Sequence, residues 1–423
     1  MLLNPALATV HASAALAGKN VLSVSTVNTR EMVNRVSGTT MKATVLCDVG
    51  QMEIRDVPRP SILTHEVLIR VAAVGICGTD AHIFAGHANY NTNEHGKPIP
   101  LSLQPQILGH EIVGHVEDLG TSVDDLSVGD RVVVDQGINC VSRGRDSLCE
   151  YCLSGDSHQC EFYREHGITG LPGGLAEFIA VPATNVIKVE TEIDSAEAAL
   201  VEPLGCVLHS SETVEKTRAR YGINVRSSER RVRSALICGA GPAGLLFTQY
   251  LRQVAGYEGT LIVADPHQLK RELAKQLGAS EIFDSSKTEL ADAVQELTGG
   301  RGVEYLIEAS GAGEVVASIP QLIRKQATVL LYGHGHKGTD LSVLNNLLFK
   351  EPKLVTTVGA SGGFDVDGRP TVYRSALKLI EEKRIKVQSM ITHRYRSLSD
   401  IETALSKDMQ TPSYVKGVVV LER

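Results

Sequence analysis

At 423 residues, with 43% hydrophobic and 22% charged side chains, the chain has the length and composition for two to three folded domains. A net charge of −7 without a basic stripe argues against a nucleic-acid partner, and 4% aromatics with no Trp argue against a base-stacking platform. No apolar run approaches the ~20 residues a bilayer span needs, so no membrane partner is expected.

Eight cysteines in so long a chain are too few for a secreted disulfide framework. Cys149, Cys152 and Cys160 cluster, with Cys140 just upstream, and metal binding in a reducing, cytoplasmic compartment is the better reading.

Residues 1–40 stand apart. They are rich in Ala, Ser, Val and Asn, carry Lys19, Arg30 and Arg35, and hold Glu31 as their one acid. A weak transit peptide shares that bias, but a disordered extension, or a start placed ahead of Met41, is the simpler expectation.

From Met41 to about residue 200 the pattern is strand and turn. EVLIRVAAVGI (66–76), DRVVVD (130–135) and LAEFIAV (175–181) are β-rich runs bounded by Gly, Pro and Asp. Long irregular stretches at 87–105 and 137–173 separate them, and loops of that length usually carry function.

After Glu202 the rhythm changes. SALICGAG (234–241) reads as a strand, LLFTQYLRQVAG (245–256) as a helix, GTLIVADP (259–266) as a strand and HQLKRELAKQLGA (267–279) as a helix. VEYLIEASG, EVVASIPQLIR, ATVLLYG and KLVTTVG continue the alternation, which implies βαβ crossovers and a parallel sheet covered on both faces. The helix TVYRSALKLIEEKR (371–384) and the strand KGVVVLER (416–423) are expected to return to the first domain.

The turn Gly239-Ala240-Gly241-Pro242-Ala243-Gly244 follows an apolar strand and opens a helix. Gly239 suits the tight turn, Gly241 close approach of the pyrophosphate, and Gly244 close helix–strand packing. The diphosphate would sit on the helix N-terminus, where free N–H groups and the helix dipole favour anions. Asp265, ending the next strand, would accept from the ribose hydroxyls and repel a 2′-phosphate, so NAD is favoured over NADP. Lys270 and Arg271, one helical turn on, pull toward NADP.

Cys77 in GICGTDAHIF, His110 and Glu111 in ILGHE, and Glu202 in EPLGC offer one thiolate, one imidazole and two carboxylates. That set suits a zinc ion with one position open for substrate. Thr79 would bond the substrate oxygen, His82 would pass its proton to solvent, and Asp80 would orient a ligand histidine. Cys140, Cys149, Cys152 and Cys160 form a second cluster whose C-x2-C-x7-C portion suits a closed, structural zinc lobe.

These residues resemble the zinc-dependent medium-chain alcohol dehydrogenase family from about Met41 to the C-terminus. GICGTDAH is similar to its first-ligand segment, GHE to its second and VEPLGC to its third, while GAGPAG with Asp265 matches its cofactor fingerprint. Glu202, in place of a cysteine, resembles the sorbitol and threonine dehydrogenase branch. The resemblance implies a GroES-like β-rich catalytic domain (41–206), a Rossmann doubly wound parallel sheet (207–360), a C-terminal return (361–423), and a homodimer or homotetramer. Two departures stand out. Eight residues separate Cys140 from Cys149, so either an insertion follows Cys140 or Asp146 replaces the first thiolate. Residues 87–105 are also longer than the family's segment; His87 and His95 there are read as loop residues. In such relatives the metal is held by Cys77, His110 and either Glu111 or Glu202, and the choice stays open. The implied activity is hydride transfer between NAD and a small secondary alcohol, a polyol or a threonine-like compound. The alternatives are an NADPH-dependent aldehyde or ketone reductase and a non-catalytic metal-binding scaffold of the same fold.

Overall fold

The computed structural model describes residues 36–422, apart from 337, 339 and 341. Expectations for residues 1–35 lie outside the described residues. Strands β1 (Val36–Asp48) and β2 (Gln51–Pro60) form an antiparallel hairpin turned at Gly50, whose φ of +71° suits glycine. Thr40 pairs with Pro58 and Met41 with Val57, so the chain is in the sheet before Met41, where sequence alone placed an extension.

The first large sheet is built from β3 (Glu66–Ile76), β5 (Glu111–Leu119), β6 (Arg131–Val134), β9 (Phe178–Pro182), β10 (Val186–Lys188), β17 (Ile391–Tyr395) and β18 (Lys416–Val420); β4 (Gln106–Ile107) pairs instead with β1. The order β10-β6-β5-β3-β18-β17, with β9 also on β3, places the last strand of the chain against the first long one. Ile69, Val71, Ile112, Val134 and Val419 enter one core while Ala73, Val113, Val133 and Val418 enter another, so both faces of this sheet are buried. Small strands β7 (Gly137–Ile138) and β8 (Arg164–Glu165) pair beside it.

The second sheet is wholly parallel. It contains β11 (Ser234–Cys238), β12 (Thr260–Ala264), β13 (Glu281–Phe283), β14 (Val303–Glu308), β15 (Ile323–Leu331) and β16 (Lys353–Thr356), in the order β13-β12-β11-β14-β15-β16. Numbered within the sheet, that is 3-2-1-4-5-6, the doubly wound arrangement that opens a ligand crevice at the carboxyl ends between its first and fourth strands. β11 shows why the strands read as continuous apolar runs. Ala235 and Ile237 enter one core and Leu236 and Cys238 another, on opposite faces.

The helix Pro242–Gln249 runs on into a π-helical turn at Tyr250–Val254, where sequence pattern gave one uninterrupted helix. The helix Thr371–Glu381 packs on the helix Val201–Lys216, and the chain then returns to the first sheet through β17 and β18.

Candidate metal and cofactor site

Cys77 follows the last residue of β3 and caps the helix Gly78–Phe84. Its N–H donates to Asp80 Oδ2 at 2.9 Å, while Asp80 Oδ1 accepts from Gly109 N–H at 3.2 Å and lies 3.5 Å from His110 Nδ1. Asp80 is 1% exposed. One buried carboxylate thus ties together the two segments that carry the thiol and the imidazole.

Glu111 opens β5 directly opposite Gly75 of β3. A methyl group at Gly75 would sit 1.8 Å from Glu111 Oε2, so only glycine leaves room for the carboxylate. Glu111 Oε1 accepts from Lys416 Nζ at 2.6 Å, and Lys416 also donates to the carbonyl of Ile76 at 2.9 Å. Oε2 is buried without a partner. Ligand atoms of Cys77, His110 and Glu111 all lie within 4.8 Å of one another. Burial works against a proton on His110, yet the neighbouring Asp80 and Cys77 raise its pKa well above the usual imidazole range. A buried imidazole, a thiol and a carboxylate oxygen without a hydrogen-bond partner, brought together, are a donor set that a cation can bind. Sulfur, nitrogen and oxygen donors at these distances fit zinc with a fourth position open.

Glu202 stands beside this group and outside it. It lies in the first turn of the helix Val201–Lys216, 6% exposed, and its Oε1 accepts from Gln136 Nε2 at 3.1 Å and from Cys206 Sγ at 3.3 Å. Gln136 in turn accepts from the Tyr373 hydroxyl. Burial pushes the Glu202 carboxyl up to about 7, with His110 opposing and Glu111 adding to the shift. Of the four residues singled out in sequence, the structure gathers three and holds the fourth nearby by hydrogen bonds.

Thr79 Oγ1 lies 3.7 Å from Cys77 Sγ, and His82 sits half-buried in the last turn of the same helix. Burial, then the imidazoles of His334 and His87, lower the pKa of His82, so it stays neutral and able to take a proton. His87 and His95 are exposed.

In the cofactor turn Gly239 has φ +99°, and a Cβ there would meet the Ser310 backbone nitrogen at 2.9 Å. A Cβ at Gly244 would lie 1.9 Å from the Gly239 carbonyl, whereas nothing lies within 4 Å of one at Gly241. The first and third glycines are therefore demanded by packing, and the second leaves open space for a diphosphate. Pro242 and Ala243 begin the helix, where proline's missing N–H costs nothing. Asp265, 6% exposed, accepts from Ala240 N–H at 2.8 Å and from His267 N–H at 2.8 Å. Lys270 is half-buried in the helix Gln268–Gln276. Arg271 bonds the Asp265 carbonyl at 2.8 Å and pairs with Asp284 at 3.0 Å.

The remaining cluster is Cys140, Cys149, Cys152 and Cys160, with ligand atoms within 4.8 Å of one another. Cys140 and Cys160 sulfurs are 3.6 Å apart. Asp146 is exposed and outside the group, so the thiolate reading of the first position is the one the geometry carries. Burial raises the Cys149 thiol, but backbone N–H groups of Cys152 and Glu161 outweigh it and bring it to about 6.

Comparison with known proteins meets this geometry from the other side. Residues 64–191 match the alcohol dehydrogenase GroES-like domain, and residues 242–382 match the zinc-binding dehydrogenase domain. L-threonine 3-dehydrogenase of Pyrococcus abyssi is 31% identical over 349 residues, 82% of this chain and 89% of the relative. The chain belongs to the zinc-dependent medium-chain alcohol dehydrogenase family. Sorbitol dehydrogenase of Bacillus subtilis is 27% identical over 90% of the chain and 97% of its own length. A solved structure described as a zinc-binding dehydrogenase of Sinorhizobium meliloti, bound to NADP, superposes with a TM-score of 0.72 at 28% identity, covering 90% of this chain and 99% of the other. As a family member the chain is an enzyme, a zinc-dependent alcohol oxidoreductase. Among the described residues no helix is long and apolar enough to cross a membrane.

Sequence reasoning missed Lys416 and Gln136, the two side chains that hold the two glutamates. Neither belongs to a local motif. Lys416 begins the closing strand, and the register that sets Gly417 opposite Ile76 brings its amine to Glu111. A lysine opening an otherwise apolar terminal strand was the available signal.

Proposed function

We propose that this enzyme oxidises a small secondary alcohol, a polyol or a threonine-like compound, reversibly, with NAD as hydride acceptor. What carries the reading is the unpartnered Oε2 of Glu111, within ligand distance of Cys77 and His110 beside a neutral His82. A zinc ion held by Cys77, His110 and Glu111 would supply a Lewis acid for the alcohol oxygen, and NAD on the Gly239–Gly244 turn would accept the hydride. Asp80 fixes the orientation of His110, and Lys416 fixes that of Glu111. Thr79 Oγ1 takes the hydroxyl proton and hands it to His82, which releases it to solvent. The carbinol carbon gives up its hydride and becomes a carbonyl carbon. Glu202, held by Gln136 and Cys206, serves as the nearby carboxylate rather than as a direct ligand. Cys140, Cys149, Cys152 and Cys160 take a structural zinc.

The cofactor choice rests on Asp265 and Arg271. A carboxylate at the ribose position opposes a 2′-phosphate, and Arg271, the guanidinium best placed to attract one, is engaged by Asp284. The NADPH-dependent reductase is the second reading, on the strength of Lys270 and the NADP-bound neighbour. All eight cysteines are free thiols, as suits a reducing, cytoplasmic compartment. A homodimer or homotetramer is favoured by β16 closing the parallel sheet at its edge, with exposed Leu354 on it and exposed Leu348 and Phe349 just before it. A screen of polyols, threonine and simple alcohols, read as NADH against NADPH formation, tests the proposal. Turnover of a secondary alcohol with NAD preferred supports it; reduction of carbonyls with NADPH alone would transfer the assignment to the second reading.

A further inference from the structure

Between the helix Val201–Lys216 and β11 the chain makes an ordered excursion, residues 217–233, that holds six arginines and a single acid, Glu229. Gly222 bridges to Arg231, Gly222 N–H donates to the Arg230 carbonyl at 2.9 Å, and Val232 N–H donates to the Gly222 carbonyl at 3.0 Å. Arg231 Nε donates to the Val225 carbonyl at 3.2 Å and Arg233 Nη2 to the Ser228 carbonyl at 3.1 Å. Residues 225–228 are thereby folded against 231–233, and arginines dispersed in sequence come to share one compact surface. All six are exposed. Other arginines meet carboxylates, as Arg271 meets Asp284 and Arg369 meets Asp125; among the described residues none of these six does. Arg220 Nη1 reaches Gln326 Oε1 at 3.3 Å, and the Tyr221 hydroxyl donates to the Lys325 carbonyl at 3.3 Å, which sets exposed Lys325 beside the group. The surface lies at the amino ends of β11 and β15, opposite the carboxyl ends where the cofactor turn stands.

We infer that this arginine surface docks the phosphate backbone of a nucleic-acid duplex. The net charge of −7 argued against such a partner for the chain as a whole, but six arginines against one glutamate leave a local surplus of five positive charges that the average hides. Guanidinium forks match phosphate oxygens bidentately, and Arg231 and Arg233 keep free N–H groups after their backbone bonds. Exposed Ser227 and Ser228 add hydroxyl donors of the kind that accompany arginine on a phosphate backbone. The segment exposes no large apolar side chain, and Tyr221, its one aromatic, is 7% exposed, with the Arg220 and Arg324 guanidinia over its ring. A single strand would find no ring for its bases to stack on, a bilayer nothing to insert, and an acidic protein no apolar anchor of the kind that dominates protein interfaces. A duplex needs none of these, because its phosphates are held by charge and hydrogen bonds.

The test measures binding of the zinc-loaded enzyme to a short fluorescent DNA duplex between about 50 and 200 mM salt. Saturable binding is expected, with log K falling against log salt at a slope of about −4 to −5, since each engaged phosphate contributes about −0.9. Arg218, Arg226 and Arg230 make no side-chain bond among the described residues, so replacing all three by Gln leaves the fold's own contacts intact. In that triple variant the slope should shrink by about 2 to 3, with zinc content and NAD affinity as in the wild type. Phosphatidylserine vesicles, polyglutamate and the separated single strand are measured alongside. No binding to the duplex, an unchanged slope in the variant, or any of the three alternatives bound as tightly as the duplex overturns the inference. The dehydrogenase assignment stands apart from every one of these outcomes.

Discussion

In the proton path proposed above, the charge state of His82 decides the chemistry. Burial and two neighbouring imidazoles, from His334 and His87, hold its pKa below the ordinary value of 6.5. The neutral form is the base, so activity is present above the folded-state pKa and is lost as pH falls through it. The acid limb of kcat/KM is accordingly expected below pH 6.5, and His82→Gln should erase that limb and slow turnover by roughly ten- to a hundredfold. A variant with an unchanged profile would remove His82 from the proton path. Single residues of this kind were only half legible in the sequence. Cys77, Thr79, Asp80 and His82 fall within one short helix and its N-cap, so their placement follows from local geometry. Tyr90 and His334, whose side chains meet at 2.8 Å, are separated by 244 residues, and nothing local to either reveals the other.

Among the elements, the closing strand β18 does more than complete a sheet. Its register against β3 delivers a fully buried lysine to a fully buried glutamate, at 2% and 0% side-chain exposure. Removing one partner of such a pair strands the other charge in a medium that solvates it poorly, at a cost of about 3–5 kcal/mol. Lys416→Met should lower the thermal stability of the zinc-free enzyme by that order, and the double variant with Glu111→Gln should recover much of it. Additive losses in the double variant would show that the two side chains do not depend on each other. The glycine turn is the opposite case. Gly239, Gly241 and Gly244 were readable because their roles are set by contacts within a single strand–turn–helix unit and the strands beside it. Lys416 was not, because a strand's register is fixed by the whole sheet. The start of β1 was misjudged for the same reason: Val36–Thr40 lack an apolar pattern, yet lie on a partner strand ending at Pro60.

For the molecule as a whole, two sheets meet with the metal-ligating group at the ends of β3 and β5 and the glycine turn at the carboxyl end of β11. Alternating strand and helix announced the parallel sheet, and the β-rich half was visible as runs between turn residues. The chain's last strand closes the catalytic sheet, so the enzyme is assembled around a cofactor unit inserted between its ends. The central claim is a zinc ion held by Cys77, His110 and Glu111, distinct from the one held by four cysteines. The most direct measurement is the zinc content of the wild type and of Cys77→Ser, taken together with NADH formation and NAD affinity. The two sites predict two zinc ions per chain falling to one, loss of turnover, and NAD binding retained. A Cys77→Ser enzyme that keeps both ions and full activity would contradict it.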